Sequence, residues 1–246
     1  MPIKGKLMSK KFDVLWTGGW DSTFRVIQLL SQGDDVKPHY ICDPGRDSTP
    51  FEISAMHQIR NQLKSNPKVK GNLLPVNIVK FSDFEKYKDI EEAYIDLMKQ
   101  HYLGEQYKWI ADYCRHKNIE SIDLSIVSVN SDHFFQQNYA RKDYPFSVIF
   151  KNLNFPLINM SKNDMREWCV DNGFLPVIES SWFCHSPTRS GKPCGTCSPC
   201  IMAMEEGMGY RLPTKAKVRY HFRILPRLKN FLKNYPRFYT HLYKLK

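Results

Sequence analysis

The sequence has no long apolar stretch, and none of its runs approaches the roughly 20 apolar residues that a membrane-spanning helix needs. Its N-terminus carries scattered lysines and lacks the apolar core of a secretory signal. These absences predict a cytoplasmic protein. A hydrophobic fraction of 42% with 13% aromatic residues is typical of a globular chain rather than a disordered one.

Acidic residues are missing from the C-terminal part of the chain. From Arg211 to Lys246 there are 11 lysines and arginines and no aspartate or glutamate, so this segment carries the whole formal net charge of +11. Its aromatic and leucine side chains recur at helical spacing. We expect residues 210–246 to contact an anionic membrane surface, nucleic acid or a protein partner, or to pack on the chain's own body or a second subunit, with a homodimer as the default.

Short apolar runs alternate with helical patterns along the first two thirds of the chain. Runs typical of strands cover residues 12–16, 36–42, 73–79, 121–129 and 155–158. Helical patterns cover residues 22–31, 50–63, two segments within 84–117 broken near Gly104, and 165–170. This alternation predicts an α/β fold, a Rossmann-like open parallel sheet of about five strands with helices on both faces.

The length of 246 residues fits one such domain with an appendage. We predict an ATP-binding α/β domain over residues 1–178, a small cysteine-rich appendage over 179–209 and a basic aromatic tail over 210–246.

A pair of glycines follows the first predicted strand, where an open α/β sheet binds its ligand. The segment is neither a Walker loop nor a dinucleotide-binding Gly-x-Gly-x-x-Gly. The two glycines allow close approach of an anion, and the next helix points its N-terminus at that anion. The candidate nucleotide-binding residues are Thr17, Gly18, Gly19, Trp20, Asp21, Ser22 and Thr23. Thr17, Ser22 and Thr23 add hydroxyl groups, and Asp21 is the candidate ligand of a nucleotide-borne Mg²⁺ ion.

This loop resembles the Ser-Gly-Gly-x-Asp-Ser loop of the PP-loop ATP pyrophosphatases, with Thr17 keeping the hydroxyl of the first serine. The resemblance implies that the chain binds ATP and releases AMP and pyrophosphate.

Four of the seven cysteines lie close together, at positions Cys184, Cys194, Cys197 and Cys200. Four thiolates satisfy a tetrahedral Zn²⁺ ion and leave no position open for water, which predicts a structural zinc site. An iron–sulfur cluster or disulfides are the alternatives to zinc, and His185 is an alternative ligand.

Together the two motifs resemble the 7-cyano-7-deazaguanine synthases of queuosine-precursor synthesis. Four further segments share this resemblance: residues 43–52, Val129-Asn130-Ser131-Asp132, Pro156-Leu157 with Ser161-Lys162, and Ser181-Trp182-Phe183-Cys184. The resemblance implies an ATP-dependent ligase that adenylates a deazaguanine carboxylate, converts it to an amide with ammonia, and activates the amide with a second ATP to form a nitrile.

Two elements of that family are missing here, a Val-Pro-x-Arg-Asn segment and a Tyr-Pro-Asp-Cys segment. Two other functions therefore stay open. One is an enzyme of the same ATP chemistry that modifies a macromolecule such as tRNA or a protein, and the other is a non-catalytic nucleotide-binding scaffold.

Three residues outside the loop complete the candidate site. Arg46 and Lys162 are candidates for contacts with ATP phosphates, and Asp132 is a candidate for substrate contact or proton transfer. Asp132 joins Asp21 and Ser22 as the predicted catalytic residues. We expect a small-molecule acid and ammonia or an amine as the reaction partners.

Overall fold

The structure is a computed structural model that describes residues 9–43, 46–127, 138 and 140–222. Asp132 and the segment Val129 to Asp132 lie outside the described residues, so their predicted roles stay predictions. The tail beyond residue 222 lies outside them as well.

The centre of the protein is a five-stranded parallel sheet in the order β3-β2-β1-β4-β5. Its strands are β1 (Lys11–Leu15), β2 (Asp35–Cys42), β3 (Asn77–Lys80), β4 (Ile122–Asp123) and β5 (Leu153–Asn154). The chain leaves β1 on one side to form β2 and β3, and crosses to the other side to form β4 and β5. Ligands of open α/β sheets bind at such a reversal of strand order, beyond the carboxyl end of the strands.

Helices cover both faces of the sheet, which confirms the predicted fold class. The described helices are α1 (Trp20–Gln32), α2 (Thr49–Ser65), α3 (Lys88–Gln100), α4 (Gln106–His116), α5 (Phe146–Ile149), α6 (Lys162–Asp171), α7 (Leu175–Glu179), α8 (Ser198–Glu205) and α9 (Thr214–His221). One buried core contains side chains of α1, α2, α6 and α7, and a second contains those of α3, α4 and α5. Within the described part of the chain, every helix is too short or too polar to cross a membrane.

Three predicted strands are shorter or displaced. The fourth, predicted over residues 121–129, covers only Ile122–Asp123 within the described residues. The third covers residues 77–80 instead of 73–79, and Leu73 makes only an isolated bridge to Val36. The fifth predicted strand, residues 155–158, is wrong, because the strand is Leu153–Asn154 and a turn follows it. Pro75 and Pro156 have no N–H to donate to a sheet, so the apolar residues beside them do not extend a strand.

The cysteine-rich segment shares a core with the sheet. Cys184 and Cys200 of this segment belong to the same buried cluster as Val14 of β1 and Trp16, the residue that follows β1. Ala216 of α9, just beyond the segment, belongs to this cluster as well. The segment therefore packs on the α/β body through apolar side chains, while the predicted boundaries at residues 178 and 209 stay predictions.

Candidate functional site

The glycine loop between β1 and α1 has a conformation that only glycine tolerates at Gly18. Its φ is +69°, and a Cβ atom there would lie 2.8 Å from the carbonyl oxygen of Glu52 in α2. The Gly18 carbonyl accepts a hydrogen bond of 2.8 Å from the Trp182 N–H. The loop is thus held between α2 and the segment that leads into the cysteine cluster.

The loop presents unpaired N–H groups at the start of α1. The first hydrogen bond within this helix runs from the Thr23 N–H to the Gly19 carbonyl, 3.0 Å away. The N–H groups of Trp20, Asp21 and Ser22 precede it and have no partner within the helix, as at every helix N-terminus. Because the helix dipole is positive at this end, the arrangement is suited to binding an anion such as a phosphate.

The three hydroxyl groups of the loop have different surroundings. The Thr17 and Ser22 hydroxyl oxygens lie 3.3 Å apart in the loop, and Thr17 is partly exposed. Thr23 is fully buried, and its hydroxyl accepts a hydrogen bond of 3.1 Å from the indole N–H of Trp16. Thr23 therefore joins strand to helix inside the core, and its predicted contact with ATP stays a prediction.

Asp21 of the loop contacts Lys162, which lies 141 residues further along the chain. The Lys162 ammonium donates to both carboxylate oxygens of Asp21, at 2.9 and 3.0 Å. Lys162 is the first residue of α6, whose N-cap is Ser161. The Ser161 hydroxyl accepts from the Asp164 N–H, and the Asp164 carboxylate accepts from the Ser161 N–H. The capped helix start thus places the lysine against the loop.

Glu206, which follows α8, completes a half-buried group around this lysine. One of its carboxylate oxygens lies 3.6 Å from the Lys162 nitrogen, and that oxygen has no hydrogen-bond partner among the described residues. Burial raises the pKa of Glu206 above its usual value, although the neighbouring ammonium acts in the opposite direction. Reasoning from sequence missed this residue, and its signal was that Glu205 and Glu206 are the only acidic residues between Ser180 and Lys246.

Arg46 lies near the glycine loop because it contacts Glu52 of α2. Its guanidinium is 3.9 Å from a Glu52 carboxylate oxygen, and its side chain is 38% exposed. Glu52 is buried and accepts hydrogen bonds of 2.7 Å each from the hydroxyl groups of Tyr40 and Ser48. Since the backbone of Glu52 touches Gly18, the structure brings Arg46 to the neighbourhood of the glycine loop.

Arg211 is a second residue that reasoning from sequence missed, because it stands at the start of the basic tail. Its guanidinium lies between the rings of Trp20 and Phe183, at 5.0 and 4.9 Å from their centroids. It donates a hydrogen bond of 2.6 Å to the Ser181 carbonyl. Arg211 thereby connects Ser181, next to the residue that bonds to Gly18, with Trp20, the first residue of α1.

The four cysteines of the predicted metal site come together. Their sulfur atoms all lie within 4.8 Å of one another, and the Cys194–Cys200 and Cys184–Cys197 separations are both 3.9 Å. A tetrahedral ion with zinc–sulfur bonds of about 2.3 Å requires sulfur separations of about 3.8 Å, so the cluster fits zinc. The separations are too long for disulfides. The predicted alternative ligand His185 is not a member of this group within the described part of the chain.

Backbone groups around the cluster are arranged for thiolates. The N–H groups of Thr196 and Cys197 both point at the Cys194 sulfur from 3.3 Å, and the Cys194 N–H points at the Cys184 sulfur from 3.2 Å. Such donors stabilise negative sulfur ligands. With four protein ligands a zinc ion held here would have no open position, so its role would be structural rather than catalytic.

The sheet carries a glycine loop at its carboxyl edge and a cysteine cluster beside it, which are the two motifs on which the predicted PP-loop class rests. The model of the family described as "Queuosine biosynthesis protein QueC" matches residues 119–208, and this confirms the resemblance to 7-cyano-7-deazaguanine synthases over that stretch. The matched stretch contains Lys162, Glu206 and all four cysteines of the cluster, whereas the glycine loop precedes it.

Two solved structures are similar to the chain. One is "predicted subunit of tRNA methyltransferase from Methanocaldococcus jannaschii DSM", with 11% identity, a TM-score of 0.36, and coverage of 65% of this chain and 74% of that one. The other is "a 4-thiouridine synthetase - RNA complex with bound ATP", with 14% identity, a TM-score of 0.39, and coverage of 87% and 54%. These scores are too low to carry an argument about function. No curated protein sequence matches the chain.

Proposed function

We propose that the protein is a cytoplasmic C–N ligase that uses ATP to activate a carboxylate or amide, releases AMP and pyrophosphate, and takes ammonia or an amine as acceptor. The specific form that we favour is 7-cyano-7-deazaguanine synthesis. The observation that carries the proposal is the contact between Asp21 of the glycine loop and Lys162 of the matched stretch. It joins the motif for ATP to the part of the chain that resembles the synthases.

The residues around the loop suit a triphosphate with its Mg²⁺ ion. The N–H groups at the start of α1, with the Thr17 and Ser22 hydroxyl groups, would hold phosphate oxygens. Lys162 would neutralise phosphate charge, and its departure from Asp21 would leave a carboxylate free to bind Mg²⁺, which prefers oxygen ligands. The chain's role is thus mainly to position reactants and to stabilise the charge of the leaving pyrophosphate.

The zinc site would act through structure. Zinc bound to the four cysteines would hold the segment that contains Trp182, whose N–H donates a hydrogen bond to the Gly18 carbonyl. In this proposal the metal keeps the loop in shape and takes no part in the chemistry.

The experiment is a turnover assay with zinc-loaded protein, ATP, Mg²⁺, ammonia and 7-carboxy-7-deazaguanine, in which AMP, pyrophosphate and nitrile are measured. The test variant is Asp21→Ala. The matched control is Asp96→Ala, which also removes an aspartate paired with a lysine, here Lys99 at 2.7 Å on the exposed surface of α3. We expect AMP and nitrile from the wild type and the control, and neither from Asp21→Ala.

Other outcomes separate the rival functions. AMP without nitrile, formed with another acid or amine, would keep the ATP chemistry and reject the deazaguanine substrate. ATP binding without AMP across a panel of acids and amines would contradict the ligase and favour a nucleotide-binding scaffold.

A further inference from the structure

Four exposed cations lie on and beside the cysteine-rich segment. Arg189 and Lys192 are in the turn that precedes Cys194, and Lys215 and Arg219 are on α9. None of the four forms an ion pair with a carboxylate among the described residues. We call this set the zinc-loop basic face.

Backbone contacts hold the two halves of this face together. The Arg219 guanidinium donates hydrogen bonds to the carbonyl groups of Cys194, at 2.6 Å, and Pro193, at 3.4 Å. Gly195 packs directly against the Ala216 carbonyl, where a Cβ atom would overlap the oxygen. The turn with Lys192 is closed by a bond of 2.9 Å from the Thr188 N–H to the Lys192 carbonyl. The cations therefore stand on a rigid support.

The part of the chain that carries this face has almost no acidic residues. Between Ser180 and Lys246 the only ones are Glu205 and Glu206, and Glu206 is half-buried beside Lys162. A rigid group of unpaired cations without counter-charges favours a partner with repeated negative charges. Helix α9 also lies beyond the family match, which ends at residue 208, so half of this face is additional to the matched stretch.

The surroundings favour nucleic acid over a membrane. A helix that binds a membrane surface needs a broad apolar face, whereas α9 has eight residues and turns Ala216 inward. The large apolar side chains that it exposes, with the residue after it, are Val218 and Phe222. Phe222 is 80% exposed at the end of the helix, where an aromatic ring can stack on an unpaired base.

We propose that the zinc-loop basic face binds the phosphate backbone of a single-stranded nucleic acid. This function goes beyond the proposed ligase activity, because none of these cations contacts the glycine loop or its partners. Binding is therefore measured without ATP or acid substrate, and a failure of either proposal leaves the other intact.

The experiment compares two triple variants of the full chain by fluorescence anisotropy with a labelled single-stranded RNA at several salt concentrations. The test variant carries Arg189→Gln, Lys192→Gln and Lys215→Gln, and it keeps Arg219 because of its bonds to the cluster. The control variant carries Lys64→Gln, Lys70→Gln and Lys117→Gln, which removes the same charge from exposed lysines without carboxylate partners elsewhere on the protein.

For the test variant we expect the slope of log K against log salt to become shallower by about 2, since each phosphate contact of a single strand contributes about 0.7. The dissociation constant should rise about tenfold or more at moderate salt, while the control stays within about twofold of the wild type. Equal zinc content and equal unfolding midpoints show that the variants are folded. If the test variant fails this check, Lys215→Glu alone replaces it, since this side chain is exposed on α9.

Four results would overturn the proposal. The first three are no RNA binding by the wild type at low salt, equal loss in both triple variants, and loss only when Arg227, Lys229 and Lys233 of the tail are changed to glutamine. Binding of anionic vesicles in place of RNA, lost in the test variant, would also reject it in favour of a membrane surface. A DNA strand of the same sequence, bound equally well, would support recognition of the backbone alone.

Discussion

The glycine loop and the cysteine cluster share one local feature, a tightly packed glycine, but they depend on different parts of the chain. Each contains a glycine with positive φ that packs on a backbone carbonyl, Gly18 on Glu52 and Gly195 on Ala216. The cluster draws all four sulfur ligands from one short stretch. The loop is completed by Lys162 and Trp182, both more than a hundred residues away.

This difference separates a closed site from an open one. The four cysteines of the cluster would fill all coordination positions of a zinc ion, and zinc binding at a site of this kind contributes to the stability of the fold. The loop presents N–H groups at the start of α1 that have no partner within the helix, so they add no hydrogen bond to the fold until an anion binds there. We therefore expect changes in the cluster to affect stability first, and changes around the loop to affect ATP use first.

The largest effect should follow from Cys200→Ser. Loss of one of four thiolates should weaken zinc binding severely, and structural zinc contributes roughly 10–16 kcal/mol of apparent binding free energy in small domains. Metal content and thermal unfolding measure the effect. Cys42→Ser, a free cysteine outside the cluster, is the control and should keep zinc. Full zinc content in Cys200→Ser would contradict a four-cysteine site.

Alanine at the two packed glycines should separate the regions directly. Both variants incur a left-handed backbone cost of about 1–2 kcal/mol. Gly195→Ala adds an overlap with the Ala216 backbone and should unfold the cluster with loss of zinc. Gly18→Ala should keep zinc and lose ATP affinity.

Gly207→Ala is the control for these glycines, because its φ is +77° and nothing lies within 4 Å of the added Cβ. It reports the backbone cost alone in urea unfolding. If all three variants lost the same free energy of unfolding, packing at Gly18 and Gly195 would not matter.

Removing the lysine beside the loop should impair catalysis and spare the fold. Lys162→Met should lower kcat/KM for ATP about 100-fold, the typical effect of losing one donor that stabilises transition-state charge. Zinc content should not change. Lys99→Met, which removes the exposed partner of Asp96, should behave as wild type. An unaltered kcat/KM in Lys162→Met would remove this lysine from the site.

Arg211 should connect the two regions, since it holds the segment between the cluster and the loop. Arg211→Met removes charged hydrogen bonds worth about 1.5–3 kcal/mol each and should destabilise by that order. If Arg211 positions the loop, KM for ATP should rise more than kcat falls. Arg166→Met is the control, because its guanidinium lies 6.0 Å from the Tyr210 ring, away from the loop. A loss of stability without a change in KM would make Arg211 purely structural.

The smallest effect concerns the pH dependence of stability at Glu206. Its pKa is raised by burial in the folded protein, so the folded state favours the protonated form. The stability that it contributes is present below its unfolded pKa and is lost as pH rises through the folded pKa. Unfolding midpoints of Glu206→Gln should therefore gain on those of the wild type between acidic and neutral pH. A constant difference across this range would contradict the raised pKa.

Much of the fold was predictable from the sequence because its signals are local. The helix predicted over residues 165–170 is present and begins earlier, at Lys162, because the capping box of Ser161 and Asp164 starts it there from neighbouring residues alone. The fifth strand was misplaced because an apolar run indicates burial but not the type of secondary structure. Pro156 cannot donate a hydrogen bond to the sheet, and the chain forms a turn from this residue.

By itself the sequence determined the candidate anion-binding glycine loop and the four candidate ligands of the cysteine cluster, since both depend on residues close together in the chain. Only the tertiary structure brought Lys162 and Glu206 to Asp21, and Arg211 to Trp20. The physical reason is that the residues in each contact are far apart in the sequence and become neighbours only when α1, α6 and the cysteine-rich segment pack together. No spacing along the chain indicates such a contact.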